Sequence, residues 1–319
     1  MTTHTLPPER FEAERPRLRA IAHRMLGSLA EADDAVQETW LRASRADIGQ
    51  VENLTAWLTT VVGRVSLNLL RARRTRREEP LEAYTADARE AADPEEEALL
   101  ADSVGVALLV VLDTLTPDER LAFVLHDLFA VPFDGIAPLI ERTPAAARQL
   151  ASRARRRVGG GTAPAADLGR QREVVDAFLA VTRGGDFEAL LSLLHPDVVL
   201  TADRFVVPTP EPITVSGARP VAEGAMAATG RARFTGAALL DGRVGLAMAP
   251  HGRLRLVLLF TFTDGGITRI DAVADRERLA GIEVALPDST VLGAAVLGPA
   301  GPGPAARAPE ASGPAAPGD

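Results

Sequence analysis

Thr143 and Pro144 open a segment in which no acidic residue occurs from Arg148 through Arg157 and in which apolar residues recur at Ala147, Leu150, Ala154 and Val158. A threonine hydroxyl can accept from the free backbone N–H groups of a first helical turn, and proline brings a preset φ to position N1, so the pair marks a sharp helix start. The apolar positions fall on one helical stripe, which leaves Arg148, Gln149, Ser152, Arg153, Arg155 and Arg156 on the other side. Two shorter stripes precede it, Leu121, Val124, Leu125 and Leu128, then Phe133, Ile136, Ala137 and Ile140. Three helices with a tight polar turn before a last helix that carries arginine outward form a helix-turn-helix shaped for the major groove of DNA. A solvated helix face can also be rich in arginine, and arginine is the only strongly basic side chain here, since lysine is absent. Position separates the two readings, because the cluster sits on the final helix of a tri-helical unit.

Composition sets the outer limits. A chain of 319 residues has room for two or three domains. The formal charge of -8 argues against a protein that coats nucleic acid without selectivity, yet it permits local basic surfaces at 64–77 and 148–157. Without cysteine there is no disulfide framework and no thiolate metal site, which fits a reducing cytoplasm. No basic start followed by an apolar run marks a signal peptide, and the longest apolar runs, 104–112 and 254–262, are too short to span a bilayer. The expectation is a soluble cytoplasmic protein with no membrane association.

Periodicity divides the chain. Residues 1–80 read as helical: Leu18, Ile21, Ala22 and Met25 share a stripe, Gly27 stops it, and Ser28 with Glu31 predicts a capping box for the next helix. There Ala32, Ala35, Val36, Thr39 and Trp40 point inward, whereas Asp33, Asp34, Gln37, Glu38 and Leu41 point outward. A third helix from about Asn53 buries Leu54, Leu58, Val61 and Val65, puts Arg64, Asn68 and Arg71 on one polar face, and runs into a dense basic end. Residues 81–103 are acid- and alanine-rich and read as a linker. The helix-turn-helix block occupies 104–160. From 165 to 290 two helices give way to strands over 198–201, 233–240, 243–248, 253–262 and 267–274, joined by Asp-Gly, Pro-His-Gly and Asp-Gly-Gly turns, with His195-Pro196-Asp197 as a turn into the first. That order predicts an α+β unit with helices on one side of a curved sheet. Residues 291–319 are mostly Gly, Pro and Ala and are expected to be disordered.

Four passages in this order resemble the sigma-70 family, specifically its extracytoplasmic-function sigma factors, over roughly residues 11–158. AEADDAVQETWLRA resembles the region 2 helix that docks on the RNA polymerase clamp, and LTAWLTTVVGRVSLNLLRARRTRRE the helix that melts and reads the -10 element. LDTLTPDERLAFVLHDL and TPAAARQLASRARRRV resemble region 4, which reads the -35 element and meets the polymerase flap. The resemblance implies core-polymerase contacts at Asp34, Gln37, Glu38 and Leu41. It implies -10 contacts at Arg64, Asn68, Arg71, Arg73 and Arg74, where cations hold the backbone beside an unstacked base. It implies -35 contacts at Arg148, Gln149, Ser152, Arg153, Arg155 and Arg156. Trp57 fits either a base-stacking platform or the core, and its nearness to Leu54, Leu58 and Val61 favours the core.

The third block resembles the SnoaL-like domains of the nuclear transport factor 2-like superfamily, through REVVDAFLAVTRGGDFEALLSLLHPDVVLTAD and GGITRIDAVADRERLAGI. The implied architecture is multidomain: two all-α domains, then a cone-shaped sheet wrapped on helices with a pocket for a small ligand. The chain carries Asp203-Arg204-Phe205-Val206-Val207 where related extensions have a DGGGK-type stretch, and Asp275-Arg276-Glu277-Arg278-Leu279 in place of NPDKL. It also lacks a WLPEP-type linker motif. Relatives of that superfamily include cyclases and isomerases, whose chemistry needs a carboxylate in an apolar pocket. His195, Asp197 and Asp203 are the candidates here, better explained as a turn and a strand end. No phosphate loop, nucleophile elbow or metal-ligand pair occurs, so no catalytic residue, cofactor or metal is expected. The expected function is promoter recognition with RNA polymerase core, regulated in cis by the third block. The rivals are a ligand-sensing transcriptional regulator that does not bind polymerase and a pocket enzyme fused to a DNA-binding module.

Overall fold

A computed structural model describes residues 5–76, 103–159, 165–207, 209–263 and 266–286. The expected acidic linker, apart from Ser103, and the Pro/Gly/Ala tail lie outside the described residues. The first three helices are α1 (Pro8–Leu26), α2 (Leu29–Ala43) and α3 (Leu54–Arg76). Gly27 ends α1 in the left-handed region with its N–H on the His23 carbonyl, a conformation that costs glycine little. Ser28 caps α2 by accepting from Glu31 N–H. The predicted capping box is half formed, because the Glu31 carboxylate is drawn to the Arg73 guanidinium instead. The inward positions of α2 are as expected, and on α3 Val62 is buried where Val61 is only half-buried. Trp57 packs against the core.

The helix-turn-helix block follows as α4 (Ser103–Asp113), α5 (Pro117–Phe123), which continues into a π-helical turn Val124–Leu128, α6 (Phe133–Ile136) and α7 (Pro144–Val158). Thr116 and Glu119 make a complete capping box on α5, and Thr143 caps α7 by accepting from Ala146 N–H at 3.2 Å. Leu121, Phe123 and Leu125 are fully buried, each contributing about 1.5–3 kcal/mol. On α7 Ala147, Ala151, Ala154 and Val158 are buried and Leu150 is half-buried, a stripe of small residues that brings α7 close to α5. Gly63 of α3 lets the first helical block and the helix-turn-helix block meet, since a Cβ there would lie 3.3 Å from a Leu125 methyl, with Leu139 and Leu121 just beyond.

The C-terminal part has α8 (Ala165–Gly184), α9 (Phe187–Leu193), β1 (Leu194–Ala202), β2 (Ile213–Ser216), α10 (Ala218–Ala227), α11 (Thr229–Ala232), β3 (Thr235–Leu240), β4 (Arg243–Met248), β5 (Leu256–Thr263), β6 (Gly266–Val273), α12 (Arg276–Gly281) and β7 (Val284–Ala285). The sheet order is β2-β1-β6-β5-β4-β3-β7, antiparallel except for the parallel pair β1–β6. This is the α+β architecture expected, with two corrections. His195-Pro196-Asp197 is no turn. It lies inside β1 where the register against β6 shifts between Leu194 and Val199, a bulge that accommodates a proline without an N–H. Strands β3 and β5 begin later than predicted, at Thr235 and Leu256, after a helical turn at Thr229–Ala232 and a 3-10 turn at Pro250–Gly252.

One face of the sheet is filled by α8, α9 and α10 through Val175, Phe178, Leu190, Val221, Phe260 and Ile270. The opposite face, through Ala238, Leu240, Ala247, Val257 and Val273, joins the core of the two helical blocks. The helix between them is α4, apolar on all sides from Val106 to Leu112 and buried throughout. It packs on β3, β4 and β7 and also meets α1 and α7. A helix with no polar face needs a partner on each side. Two backbone contacts complete the junction: Leu286 N–H donates to the Val158 carbonyl at 3.0 Å, and Gly252 lies against Gly27 so closely that a Cβ on Gly252 would stand 2.9 Å from the Gly27 Cα.

Candidate nucleic-acid and polymerase interface

On α2, Asp34, Gln37 and Leu41 are exposed and Glu38 is half-exposed, paired with Arg42 at 2.8 Å. Leu41, 40% exposed, is one of few large apolar side chains on the described surface. A face that mixes acids with an uncovered leucine suits a protein partner better than water alone.

The predicted -10 residues divide into two groups. Arg64, Asn68 and Arg74 are exposed. Arg71 and Arg73 hold internal partners: Arg71 donates to Asp118 at 2.8 Å, and Arg73 donates to the Leu26 carbonyl at 3.1 Å and pairs with Glu31. The basic end of α3 is thereby tied both to its own domain and to region 4.

All six predicted -35 residues are exposed on α7. Arg148 stacks over the Phe133 ring at 5.2 Å, which orients it at the start of the helix. Arg155 donates to Asp127 at 2.7 Å; burial pushes the Asp127 carboxyl up and Arg155 partly offsets it. Arg157 donates to Glu119 at 2.7 Å. Burial pushes Glu119 up, but hydrogen bonds from Thr116 and Arg157 outweigh it and hold the carboxyl below the usual range. Gln149, Ser152, Arg153 and Arg156 complete the outward face.

In the C-terminal part, Phe178, Leu200, Val215, Met248, Leu258 and Ile270 help line an apolar cavity of about 190 Å³, with Arg231, Thr182 and Thr235 as its polar groups. The acid candidates lie elsewhere. His195 and Asp197 sit on the bulge of β1, where Asp197 N–H donates to His195 Nδ1 at 3.2 Å. The Asp203 carboxylate accepts from Ala274, Asp275 and Phe205 backbone N–H groups at 2.8–3.0 Å. That is a cap on the loop into α12. Sequence reasoning passed over Arg120, Arg253, Arg255 and Arg276, which gather around one cleft between the domains. The only signal was the alternation Arg253-Leu254-Arg255.

The Sigma-70 region 2 pattern matches residues 10–76, and the Sigma-70, region 4 pattern matches residues 105–158. The ECF RNA polymerase sigma factor SigJ of Mycobacterium tuberculosis is 42% identical over 204 residues, which are 60% of this chain and 64% of SigJ, slightly under two thirds. The probable ECF RNA polymerase sigma factor SigI of the same species is 35% identical over 242 residues, 69% of this chain and 83% of SigI. The crystal structure of Mycobacterium tuberculosis SigJ aligns with 86% of this chain and 99% of its own, at 34% identity and a TM-score of 0.42. With both regions matched in order and SigI covered over most of its length, the chain belongs to the extracytoplasmic-function sigma factors of the sigma-70 family.

Proposed function

We propose that this chain binds core RNA polymerase through the Asp34, Gln37, Glu38 and Leu41 face of α2 and directs it to promoters. Arg64, Asn68, Arg71, Arg73 and Arg74 engage the -10 element, and the outward face of α7 engages the -35 element. The observation that carries the reading is that α2, α3 and α7 each turn an undisturbed apolar stripe inward and leave the implied contact residues largely on the surface. Asp34→Ala with Glu38→Ala should weaken binding to core polymerase without lowering thermal stability, since both side chains reach solvent; unchanged affinity removes the docking assignment.

The C-terminal domain acts in cis. Its sheet shares a core with regions 2 and 4 across α4, and Arg71 of the -10 helix is held by Asp118 of region 4, so bracing the two regions against each other restrains that helix. A small, largely apolar ligand in the cavity beneath α8 and α10 tunes that docking. The domain itself is non-catalytic, as Asp203 is committed to backbone donors. Truncation after Ala163 should change transcript yield or promoter choice, whereas truncation after Thr290 should change neither. Identical behaviour of both truncations and the full chain overturns regulation in cis.

A further inference from the structure

Where α3, α4, α5 and the C-terminal sheet meet, a cleft encloses about 680 Å³. Its walls carry Arg73 and Arg74 of α3, Arg120 of α5, Arg253 and Arg255 ahead of β5, and Arg276 of α12. Among the described lining residues Asp113 is the one acid. Cations gathered in a concave site repel one another and focus a positive field outward, which an anion relieves.

Arg73 is paired with Glu31; the buried donor of this cleft that lacks a protein partner is on Arg120. The side chain is 3% exposed. Nε donates to the Arg24 carbonyl at 3.0 Å, Nη1 stands 3.6 Å from an Asp113 oxygen, and Nη2 is buried without a hydrogen-bond partner. Burial pushes the guanidinium down to about 10, which still leaves it charged at neutral pH. A buried charge with an idle donor is costly unless a ligand or ion completes it. Beside Thr114, the remaining wall is largely apolar, with Leu70, Val110, Leu254, Leu279, Ile282 and Val284. Guanidinium forks suit phosphate oxygens held in pairs, and an apolar wall suits a flat ring beside them.

We infer that this cleft is a binding site for a small anion that carries clustered phosphates on a flat apolar body, the chemistry of a nucleoside di- or triphosphate. Because its arginines come from region 2, region 4 and the C-terminal domain, one bound molecule bridges all three and favours the docked arrangement over any open one. The site does not depend on the promoter reading. It is tested without polymerase or promoter.

The full chain is titrated calorimetrically with pyrophosphate, ATP, GTP and adenosine, and thermal unfolding is followed with each. Saturable binding of one ATP or GTP per chain, with a raised Tm and no response to adenosine, is expected. Pyrophosphate should bind more weakly than the nucleotides, for want of the ring. Arg276→Ala, at an exposed position, and Arg253→Ala should each weaken nucleotide binding by about tenfold or more, while Arg219→Ala, on α10 at the other face of the sheet, should leave it unchanged. Arg253→Lys, which keeps the charge and loses the fork, should fall between. The inference is overturned if no phosphate compound binds, if neither Arg253→Ala nor Arg276→Ala changes affinity, or if only a short single-stranded oligonucleotide binds, which would make the cleft part of a nucleic-acid path.

Discussion

Arg71 Nη2 donates to Asp118 Oδ1 at 2.8 Å, so a cation implied in -10 contact is held by the first turn of the helix that supports -35 recognition. The pair is partly exposed on both sides, and such pairs contribute at most about 1 kcal/mol. Asp118→Ala should therefore change unfolding free energy by less than about 1 kcal/mol while raising affinity for a -10 fragment. Fluorescence anisotropy on labelled promoter DNA tests it; equal affinity for parent and variant would show that the pair does not restrain α3.

Arg148 and Arg156 occupy opposite ends of α7, and their losses should differ in kind. Arg148, oriented by Phe133 near the helix start, lies where side chains reach base edges, so Arg148→Ala should cost about 1–3 kcal/mol on the cognate upstream element and relax its sequence preference. Arg156→Ala should weaken cognate and scrambled elements alike and lower the salt slope by about one. Affinities measured over a salt series on both elements distinguish the two. Equal effects of Arg148→Ala on both would sink the base-reading role.

His23 is buried at the end of α1, and burial, reinforced by Arg24, Arg19 and Arg120, pushes its imidazole from 6.5 down to about 3. Because the folded value lies below the unfolded one, the unfolded chain takes up the proton first. This contribution is fully present above about pH 6.5 and is lost as pH falls toward 3, at up to about 1.4 kcal/mol per pH unit. Urea unfolding at pH 7.5 and 5.5 should show the parent losing about 1.4 kcal/mol more than His23→Gln over that interval. Parallel slopes would assign the pH dependence elsewhere.

Gly252 has φ +71 and no room for a Cβ against Gly27. Gly252→Val combines backbone strain with a backbone clash and should cost about 1–3 kcal/mol. The cost should appear as separation of the C-terminal domain, read as a larger radius in small-angle scattering with the sheet's own melting transition retained. An unchanged radius would show that the glycine contact does not hold the domains together.

Local chemistry made much of this structure legible in sequence. Thr143-Pro144 located the start of α7 because cap and φ preference act within one turn, and Asp241-Gly242 located the β3–β4 hairpin because both residues adopt positive φ. What failed depended on partners distant in sequence. Glu31 read as half of a capping box because Arg73 lies beyond any local window. Pro196 read as a turn because a bulge exists only relative to β6. The short β2, α11, α12 and β7 went unread, being too brief to establish a period, and the ten-residue α10 went unread as well. The apolar run at 104–112 was visible, but its role between regions 2 and 4 and the sheet was not, since nothing in the run names what covers it. The same holds for the arginine cleft, whose walls come from four separated stretches.

The hydrogen bond from Leu286 to the Val158 carbonyl closes the end of α7 with a residue made long after it. Synthesis adds roughly 5–20 residues per second, so on the order of 10 s elapses between the emergence of Val158 and that of Leu286. During that interval the nascent chain holds complete region 2 and region 4 sequences without their C-terminal cover. Whether a newly made molecule first meets polymerase or first folds shut is thus set by a race between translation and encounter, and synonymous codons that slow the ribosome between 160 and 286 would lengthen the open window without altering a single side chain.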